Sequence, residues 1–391
     1  MFGDLPSFIG PSGSFFVLKS ESARRNISID LLRGLTVAGM ILVNNPGTWS
    51  NMYWPLKHAK WNGCTPTDLV FPFFLFVVGA AIPFSVRNGL QVFPKILKRS
   101  LILIGLGLFL NIFGEWSFAE LRFPGVLQRI GFTYFFCALI YTEKNLKFRI
   151  FIFSVLLIGY WILLGFLPPP GADLPTMTEG KDWGAWLDRT VFGEKHLWKF
   201  GKVWDPEGLL TSISAFGSVL AGIFTGEFLK KELEIGKSGF QIPLHLLFLG
   251  IGFLLLGGIW DLWFPINKSL WTSSYTLWTA GWAVLFLSLF SLLENQDTFL
   301  FRSLQALLLP FGRNALLVFF GSGMYARSLN IISVHFADGK KTSLKNYIYV
   351  EYYKSWIESP ELSSFAYTIT VILLWFFILY FLDKKKIYWK I

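Results

Sequence analysis

The sequence predicts an all-α, polytopic membrane protein. Of its 391 residues, 53% are hydrophobic and only 15% are charged. Apolar runs of about 18 or more residues recur along the whole chain, and each is long enough to cross the roughly 30 Å hydrocarbon core of a bilayer. A soluble domain would show shorter, periodic apolar stripes instead. The chain is therefore expected to consist mainly of membrane-spanning helices, with the lipid bilayer as its first partner.

About ten spanning helices are predicted, with boundaries set by the ends of the apolar runs. They lie at residues 29–46, 68–86, 97–114, 124–142, 149–167, 208–228, 241–260, 272–293, 302–322 and 364–383. The sequence shows no evident internal repeat, so one transmembrane domain over residues 29–383 is expected. We expect a short cytoplasmic N-terminal segment (1–28) before it, with no cleavable signal predicted, and a basic cytoplasmic tail (384–391) after it.

The distribution of Lys and Arg predicts the orientation, because cytoplasmic loops carry an excess of these residues. With both termini in the cytoplasm, the inner connections hold most of the basic residues. The basic residues of that inner set are Lys19, Arg24, Arg25, Arg87, Lys95, Lys98, Arg99, Lys144, Lys147, Arg149, Lys230, Lys231, Lys237, Arg302, Lys384, Lys385, Lys386 and Lys390. The three short outer loops carry only Lys57, Lys60, Arg122 and Lys268. Two longer outer connections, at about 168–207 and 323–363, are candidate binding elements because of their length.

The net charge of +10 does not indicate nucleic-acid binding, because the basic residues lie mostly in loops that meet lipid headgroups. Cys64 and Cys137 lie in different segments and form neither a disulfide nor a metal motif. We therefore expect no metal cofactor and no nucleic-acid partner.

One polar stretch, between the first two predicted helices, collects the residue types that catalysis uses. It holds a pair of amides (Asn44 and Asn45), a histidine (His58) beside Trp61, and an acid (Asp68) at the start of the next helix. A histidine is neutral and able to accept a proton near pH 7. Asp68 is expected to cap its own helix, and the alternative is that it orients His58.

Ionisable residues inside predicted spans are functional candidates, because a charge in the bilayer costs several kcal/mol unless it is paired or faces water. Asp30 and Arg33 are three residues apart and share a helix face, so a salt bridge is expected. The alternative is that Arg33, Arg129 or Arg313 binds phosphate oxygens through its planar guanidinium group.

The motif WDPEG contains two acids, Asp205 and Glu207, before an apolar run. It is typical of a helix N-terminus, with Pro206 at the first helical position and Glu207 in the first turn. Alternatively, the two acids, together with Trp61, line an acceptor site for an amine or a sugar.

Six blocks of the sequence together resemble one known family. The blocks RNISIDLLRGLTVAGMILVNN and HAKWNGCTPTDLVFPFFLFVVG are followed by PGVLQRIGFTYF, WDPEGLLTSI, PINKSLWTSSY and GRNALLVFFG. In this order they resemble the heparan-α-glucosaminide N-acetyltransferase family and its bacterial homologues. The resemblance covers the chain from about Arg25 to Gly321.

The resemblance implies a transmembrane enzyme that takes an acetyl group from cytoplasmic acetyl-CoA and places it on the amine of a terminal glucosamine at the far side. The family's catalytic histidine corresponds to His58, and its functional asparagine to Asn44. His58 would act either as a base or as a nucleophile that carries the acetyl group. Between Asn44 and His58, the segment looks longer than the corresponding segment of the lysosomal enzyme of this family.

A bacterial inner membrane is the expected location, with His58 near the periplasmic face. The rival hypothesis is a sugar or amino-sugar permease, since transporters also hold buried charges near the membrane midplane. The natural acceptor and the formation of a homodimer are left open by the sequence.

Overall fold

The computed structural model describes residues 26–86, 92–235, 240–296 and 298–389. Within these residues the chain forms fourteen α-helices and one two-stranded hairpin, β1 (Ser333–His335) and β2 (Lys341–Ser343). The helices are α1 (Ile27–Asn44), α2 (Val70–Ser85), α3 (Val92–Ile112), α4 (Val126–Thr142), α5 (Leu146–Phe166), α6 (Trp183–Phe192), α7 (Leu209–Ser214), α8 (Phe216–Glu234), α9 (Gln241–Asp261), α10 (Ser273–Gln296), α11 (Phe299–Arg313), α12 (Ala315–Ile331), α13 (Leu344–Tyr349) and α14 (Pro360–Lys384). The predicted all-α membrane fold is confirmed.

Seven helical segments in the described part of the chain are long and apolar enough to span a membrane, and an eighth is formed if one bent pair is counted. Two further predicted spans, α3 and α4, are also helical. However, α4 has only 17 residues, and the first turns of α3 carry three basic residues. All ten predicted segments therefore coincide with helices, while seven or eight have the length and apolar composition of a span.

The predicted continuous helix at 302–322 is wrong, because the chain bends by 74° between α11 and α12. The residue at the break, Asn314, is fully buried. Its amide donates to the carbonyl of Ile387 at 3.2 Å, and its oxygen accepts from the backbone N–H of Trp389 at 3.1 Å. The C-terminal segment thus satisfies polar groups at the break, as membrane proteins require of interrupted helices.

The two predicted long connections contain secondary structure. The first includes α6, and the second includes the end of α12, the hairpin, α13 and a π-helical turn at Val350–Lys354. Some basic residues used in the orientation argument lie outside the described residues. They are Lys19, Arg24, Arg25, Arg87, Lys237 and Lys390, and residues 1–25 of the predicted N-terminal segment also lie outside.

Close packing of α2 against α8 fixes the helix that begins at the polar stretch. A Cβ atom on Gly79 would lie 2.0 Å from the carbonyl oxygen of Val219, and one on Gly222 would lie 2.0 Å from that of Phe76. Small residues allow such close approach of helix backbones in membranes. The start of α2 is therefore held rigidly against the centre of the bundle.

Candidate functional site

His58, in the loop before α2, contacts Asp68, which lies just before the first residue of α2. The Nδ1 atom of His58 lies 2.6 Å from Oδ1 of Asp68. The other carboxylate oxygen accepts hydrogen bonds from the N–H groups of Ala59 and Thr65, each at 3.0 Å, and from the Thr65 hydroxyl at 2.9 Å. Asp68 is only 1% exposed, whereas the side chain of His58 is 45% exposed. The carboxylate is thus fixed by the backbone while the imidazole remains accessible.

The expectation that Asp68 is itself the N-cap is wrong. Thr65 is the N-cap of a 3-10 turn (Pro66–Leu69) that leads into α2, and Asp68 is the third residue of that turn in a capping box. The same carboxylate also contacts His58, because its two oxygens point to different partners. Capping and histidine orientation, which the sequence offered as alternatives, occur together.

Lys268 is a third member of this group. Its Nζ atom lies 2.9 Å from Nδ1 and 3.4 Å from Nε2 of His58, and 3.4 Å from Oδ1 of Asp68. Burial lowers the pKa of the Lys268 ammonium group, although the carboxylates of Asp68 and Glu207 oppose this effect. Since Nδ1 makes its shorter contact with Asp68, it donates its proton there, and Nε2, which Lys268 faces at 3.4 Å, carries the lone pair.

The loop that contains His58 and the loop that contains Lys268 are hydrogen-bonded to each other, and this pairing brings the two side chains together. The N–H of Gly63 donates to the carbonyl of Ile266 at 2.7 Å, and the amide of Asn267 donates to Asn62 at 3.0 Å. Asn267 is buried and also accepts from the N–H of Leu270. The position of Lys268 is therefore set by backbone pairing rather than by its flexible side chain.

A cavity of about 140 Å³ lies beside this group. Its polar lining comes from Asn44, His58, Glu207 and Lys268, together with the threonines at positions 36 and 67. Its other walls are mainly apolar. Asn44, at the last position of α1, is exposed, whereas its neighbour Asn45 is buried and its amide donates to the carbonyl of Ile41 at 3.0 Å. The structure thus brings together His58 and Asn44, and assigns Asn45 to the helix end.

Asp205 and Glu207 bind the same arginine. Arg122 donates to both carboxylate oxygens of Asp205, at 2.8 and 2.6 Å, and to Glu207. Burial raises the pKa of Asp205, although Arg122 opposes it. The pKa of Glu207 is lowered despite its burial, because the Arg122 and Arg129 guanidinium groups lie nearby. Only Glu207 also lines the cavity that contains His58.

The expected helix start within WDPEG is wrong. Helix α7 has Gly208 as its N-cap and begins at Leu209, so Pro206 and Glu207 precede the helix. The Asp205 carboxylate accepts from the N–H of Glu207 at 2.9 Å, which closes a turn before the helix. The same carboxylate pairs with Arg122, so Asp205 binds the arginine and closes the turn instead of capping α7.

Arg129 is enclosed by protein groups and is only 1% exposed. It donates through Nε to the Ser212 hydroxyl at 3.0 Å, and through Nη2 to the carbonyl of Pro206 at 2.8 Å and to Thr211. Its guanidinium carbon lies 4.9 Å from the centre of the Trp271 ring. Of the two alternatives given for Arg129, this environment favours structural pairing.

A larger cavity, of about 430 Å³, contains the other two candidate arginines. Arg33 pairs with Asp30 at 2.6 Å, which confirms the expected salt bridge, and Arg313 contacts both carboxylate oxygens of Asp383 at 3.0 Å. Arg99 also lines this cavity. The larger cavity is therefore lined by three arginines, two of which pair with carboxylates.

Trp61 is placed away from the smaller cavity. Its indole N–H donates to the carbonyl of Met177 at 2.9 Å, and its ring packs edge-on against Trp204 with centres 5.3 Å apart. Within the described residues, no three His, Cys, Asp or Glu side chains form a group that could hold a metal ion.

Sequence reasoning did not assign a functional role to Lys268, Arg122 or Arg99. Each was counted only as a charge that sets orientation. Lys268 lies in the block PINKSLWTSSY, which supplied part of the family resemblance, so its position in that block was an available signal. Its contact with His58 joins residues 210 positions apart, which spacing alone does not reveal.

Comparison with known proteins gives a family match that contains Asn44, His58, Asp68 and Glu207 and ends before Lys268. A family model described as "Heparan-alpha-glucosaminide N-acetyltransferase, catalytic" matches residues 25–263. The heparan-alpha-glucosaminide N-acetyltransferases of Mus musculus and Homo sapiens are each 28% identical to the chain. The alignments cover 95% and 93% of this chain, and 61% and 59% of the relatives. The chain thus spans about three fifths of the length of these curated relatives.

Proposed function

The chain belongs to the heparan-α-glucosaminide N-acetyltransferase family, and from this premise we propose that it is a transmembrane acetyltransferase. The enzyme takes an acetyl group from acetyl-CoA at the cytoplasmic face and transfers it to the amine of a glucosamine-type sugar at the opposite face. The observation that carries this proposal is the His58–Asp68 pair, which shares one small cavity with Asn44, Glu207 and Lys268.

His58 acts as the base in this reaction. With Nδ1–H donated to Asp68, its Nε2 atom accepts a proton from the acceptor amine as the amine nitrogen attacks the thioester carbon. A C–N bond forms and the C–S bond breaks. The thiolate leaves as CoA and takes up the proton held by His58. Asp68 stabilises the intermediate imidazolium ion, since it is buried and held by the backbone.

The other polar side chains of the small cavity have separate roles. The amide of Asn44 donates to the oxyanion that develops on the thioester carbonyl, an interaction worth about 2.7–4 kcal/mol at a comparable position in another enzyme. Glu207, which pairs with Arg122, binds the ammonium form of the acceptor. This ammonium group releases one proton to water, and the neutral amine then attacks. Lys268 holds Asp68 and His58 together.

The larger cavity is the proposed donor site. Acetyl-CoA carries several phosphate groups, and guanidinium groups bind phosphate oxygens in bidentate fashion. Arg33, Arg99 and Arg313 provide these groups around a cavity whose volume, about 430 Å³, lies within the range of small-molecule sites. Residues at the start of α1 line this cavity, and the distribution of basic residues assigns that end of α1 to the cytoplasm.

The proposed location is a bacterial inner membrane, with both termini in the cytoplasm and His58 near the periplasmic face. The basic residues on the predicted inner connections support this orientation. Acetyl-CoA is a cytoplasmic metabolite, so the orientation also places the donor site on the side where the donor is present.

The test uses purified protein, labelled acetyl-CoA and glucosamine. We expect transfer by the intact chain, and a loss of roughly 10²- to 10⁴-fold in His58→Ala. His196→Ala is the matched control, because His196 lies outside both cavities and contacts the carbonyl of Leu121 at 2.7 Å. Full transfer by His58→Ala would refute the role of this residue. Absence of transfer, with amino-sugar flux into proteoliposomes, would identify a permease instead.

A further inference from the structure

The two cavities share two lining residues, Phe74 of α2 and Phe319 of α12. Along α1, residues 26–33 line the larger cavity and residues 36–44 line the smaller one. Along α2 the order is reversed, as expected for antiparallel neighbours. The 18 residues of α1 extend over about 27 Å, close to the thickness of a bilayer core. The cavities therefore follow one another across the membrane, with two aromatic rings at their junction.

Both rings are held by the architecture of the bundle. Phe319 lies in the second turn of α12, just after the 74° bend at Asn314, so the bend directs this part of α12 to the junction. Phe74 lies on α2, whose close contact with α8 through Gly79 and Gly222 restricts its movement. Aromatic side chains are bulky and have few rotamers, so they form firm walls.

We infer that Phe74 and Phe319 set the length of the acyl group that the enzyme transfers. This inference rests on the proposed function, because it assumes an acyl-CoA donor in the larger cavity. Since Phe74 and Phe319 line both cavities, the thioester of such a donor passes these two rings on its way to His58. Its acyl group then lies in a cavity of about 140 Å³ that must also admit the acceptor amine.

An acetyl group fits this arrangement better than a longer chain. Each added methylene group must be placed against the Phe74 or Phe319 ring or against the apolar walls formed by Val70 and Phe71. A misfit of one methylene in an apolar pocket changes kcat/KM by roughly 10- to 200-fold. The wild-type protein should therefore prefer acetyl-CoA to butyryl-CoA by at least about tenfold.

The experiment measures kcat/KM for acetyl-CoA and butyryl-CoA with glucosamine as the acceptor, in wild type, Phe74→Ala and Phe319→Ala. We expect the butyryl-to-acetyl ratio to rise by about tenfold or more in both variants. A ratio measured on one preparation is independent of the folded fraction. Phe319→Leu, which shortens the side chain with less loss of packing, carries the test if the alanine variant fails to fold.

Phe320→Ala is the matched control, because Phe320 is the next residue on α12 but lines neither cavity. Its ring packs against Phe109 and Trp389, with centres 6.0 and 5.8 Å away, and its ratio should remain that of wild type. An unchanged ratio in the Phe74 and Phe319 variants, or equal use of both donors by wild type, would overturn the inference. Absence of acetyl transfer by wild type would instead refute the proposed function.

Discussion

Two groups of polar side chains lie at the same end of the helix bundle, and they differ in what surrounds them. Around Arg129, hydroxyl groups, backbone carbonyls and the Trp271 ring enclose the charge, leaving it 1% exposed. Around His58, the protein binds one ring nitrogen through Asp68, while the side chain remains 45% exposed beside a cavity. We call the residues that enclose Arg129, together with Arg129 itself, the closed group. The open group, which borders the smaller cavity on one side, consists of His58, Asp68, Lys268 and Asn44.

This difference separates structural from chemical roles. Removing one partner from a buried charge network costs about 3–5 kcal/mol, because the remaining groups stay buried and unpaired. A half-exposed imidazole has no such effect on folding, but its free nitrogen can accept a proton from a ligand. Substitutions in the closed group should therefore reduce stability, whereas those in the open group should reduce the rate.

Asp68→Asn should give the largest effect, because Asp68 belongs to the open group yet is itself buried. We expect a loss of roughly 10²- to 10⁴-fold in kcat, since an amide stabilises neither the tautomer nor the imidazolium form of His58. Thr65→Ala is the control. It removes a hydroxyl that contacts the same carboxylate at 2.9 Å and the carbonyl of Lys57 at 2.7 Å, and it should cost about 1 kcal/mol of stability while keeping kcat within tenfold of wild type. Equal losses of activity in the two variants would contradict this separation.

Arg129→Gln should give the largest effect on stability. The shorter side chain leaves buried carbonyl and hydroxyl groups, including those of Pro206 and Ser212, without their donor. We expect a loss of about 3–5 kcal/mol, visible as a lower Tm of the detergent-solubilised protein. The activity per folded molecule should change much less. A variant with normal Tm and no activity would instead place Arg129 in the open group.

Lys268→Met should lower the rate by less than Asp68→Asn does. The Nζ atom of Lys268 lies within 3.4 Å of both ring nitrogens of His58 and of Oδ1 of Asp68, so it helps to hold the imidazole against the carboxylate. Without it, we expect a loss of roughly 10- to 100-fold in kcat, because the base is less well positioned. Lys60→Met, which removes an exposed lysine from the same loop as His58, should keep the wild-type kcat. A wild-type kcat in Lys268→Met would exclude this role for Lys268.

Asp188→Asn should give the smallest effect, confined to one pH range. Burial raises the pKa of Asp188 from 3.8 to about 7, and one of its oxygens accepts from the N–H of Leu209 at 2.8 Å. Asp188 therefore binds its proton more tightly in the folded state than in the unfolded state. The wild-type protein loses stability as the pH rises from about 4 to 7, because this proton is then released. The variant has no group at this position that titrates in this pH range. Above pH 7, its free energy of unfolding should therefore exceed that of wild type by on the order of 1 kcal/mol. Asp173→Asn, at an exposed site, should show no such difference.

Local sequence patterns predicted the helices and part of the open group. His58 and Asn44 were identifiable because one short stretch between two predicted spans collects amides, a histidine and an acid, and because both residues lie in blocks that resemble the family. The two functions of Asp68 were treated as alternatives, because a pattern does not show that two oxygens of one carboxylate bind different partners. Lys268 and the break at Asn314 depend on contacts made by residues 210 and 75 positions away, which no local pattern contains.

The central claim is that the donor and the acceptor reach His58 from opposite faces of the membrane. Proteoliposomes loaded with glucosamine test it directly, because external acetyl-CoA cannot cross the bilayer and reaches only molecules whose basic face is outward. The account predicts that acetylated glucosamine accumulates inside the vesicles with wild-type protein, and that His58→Ala forms roughly 10²- to 10⁴-fold less. Product formed only when both substrates are on the same side would contradict it.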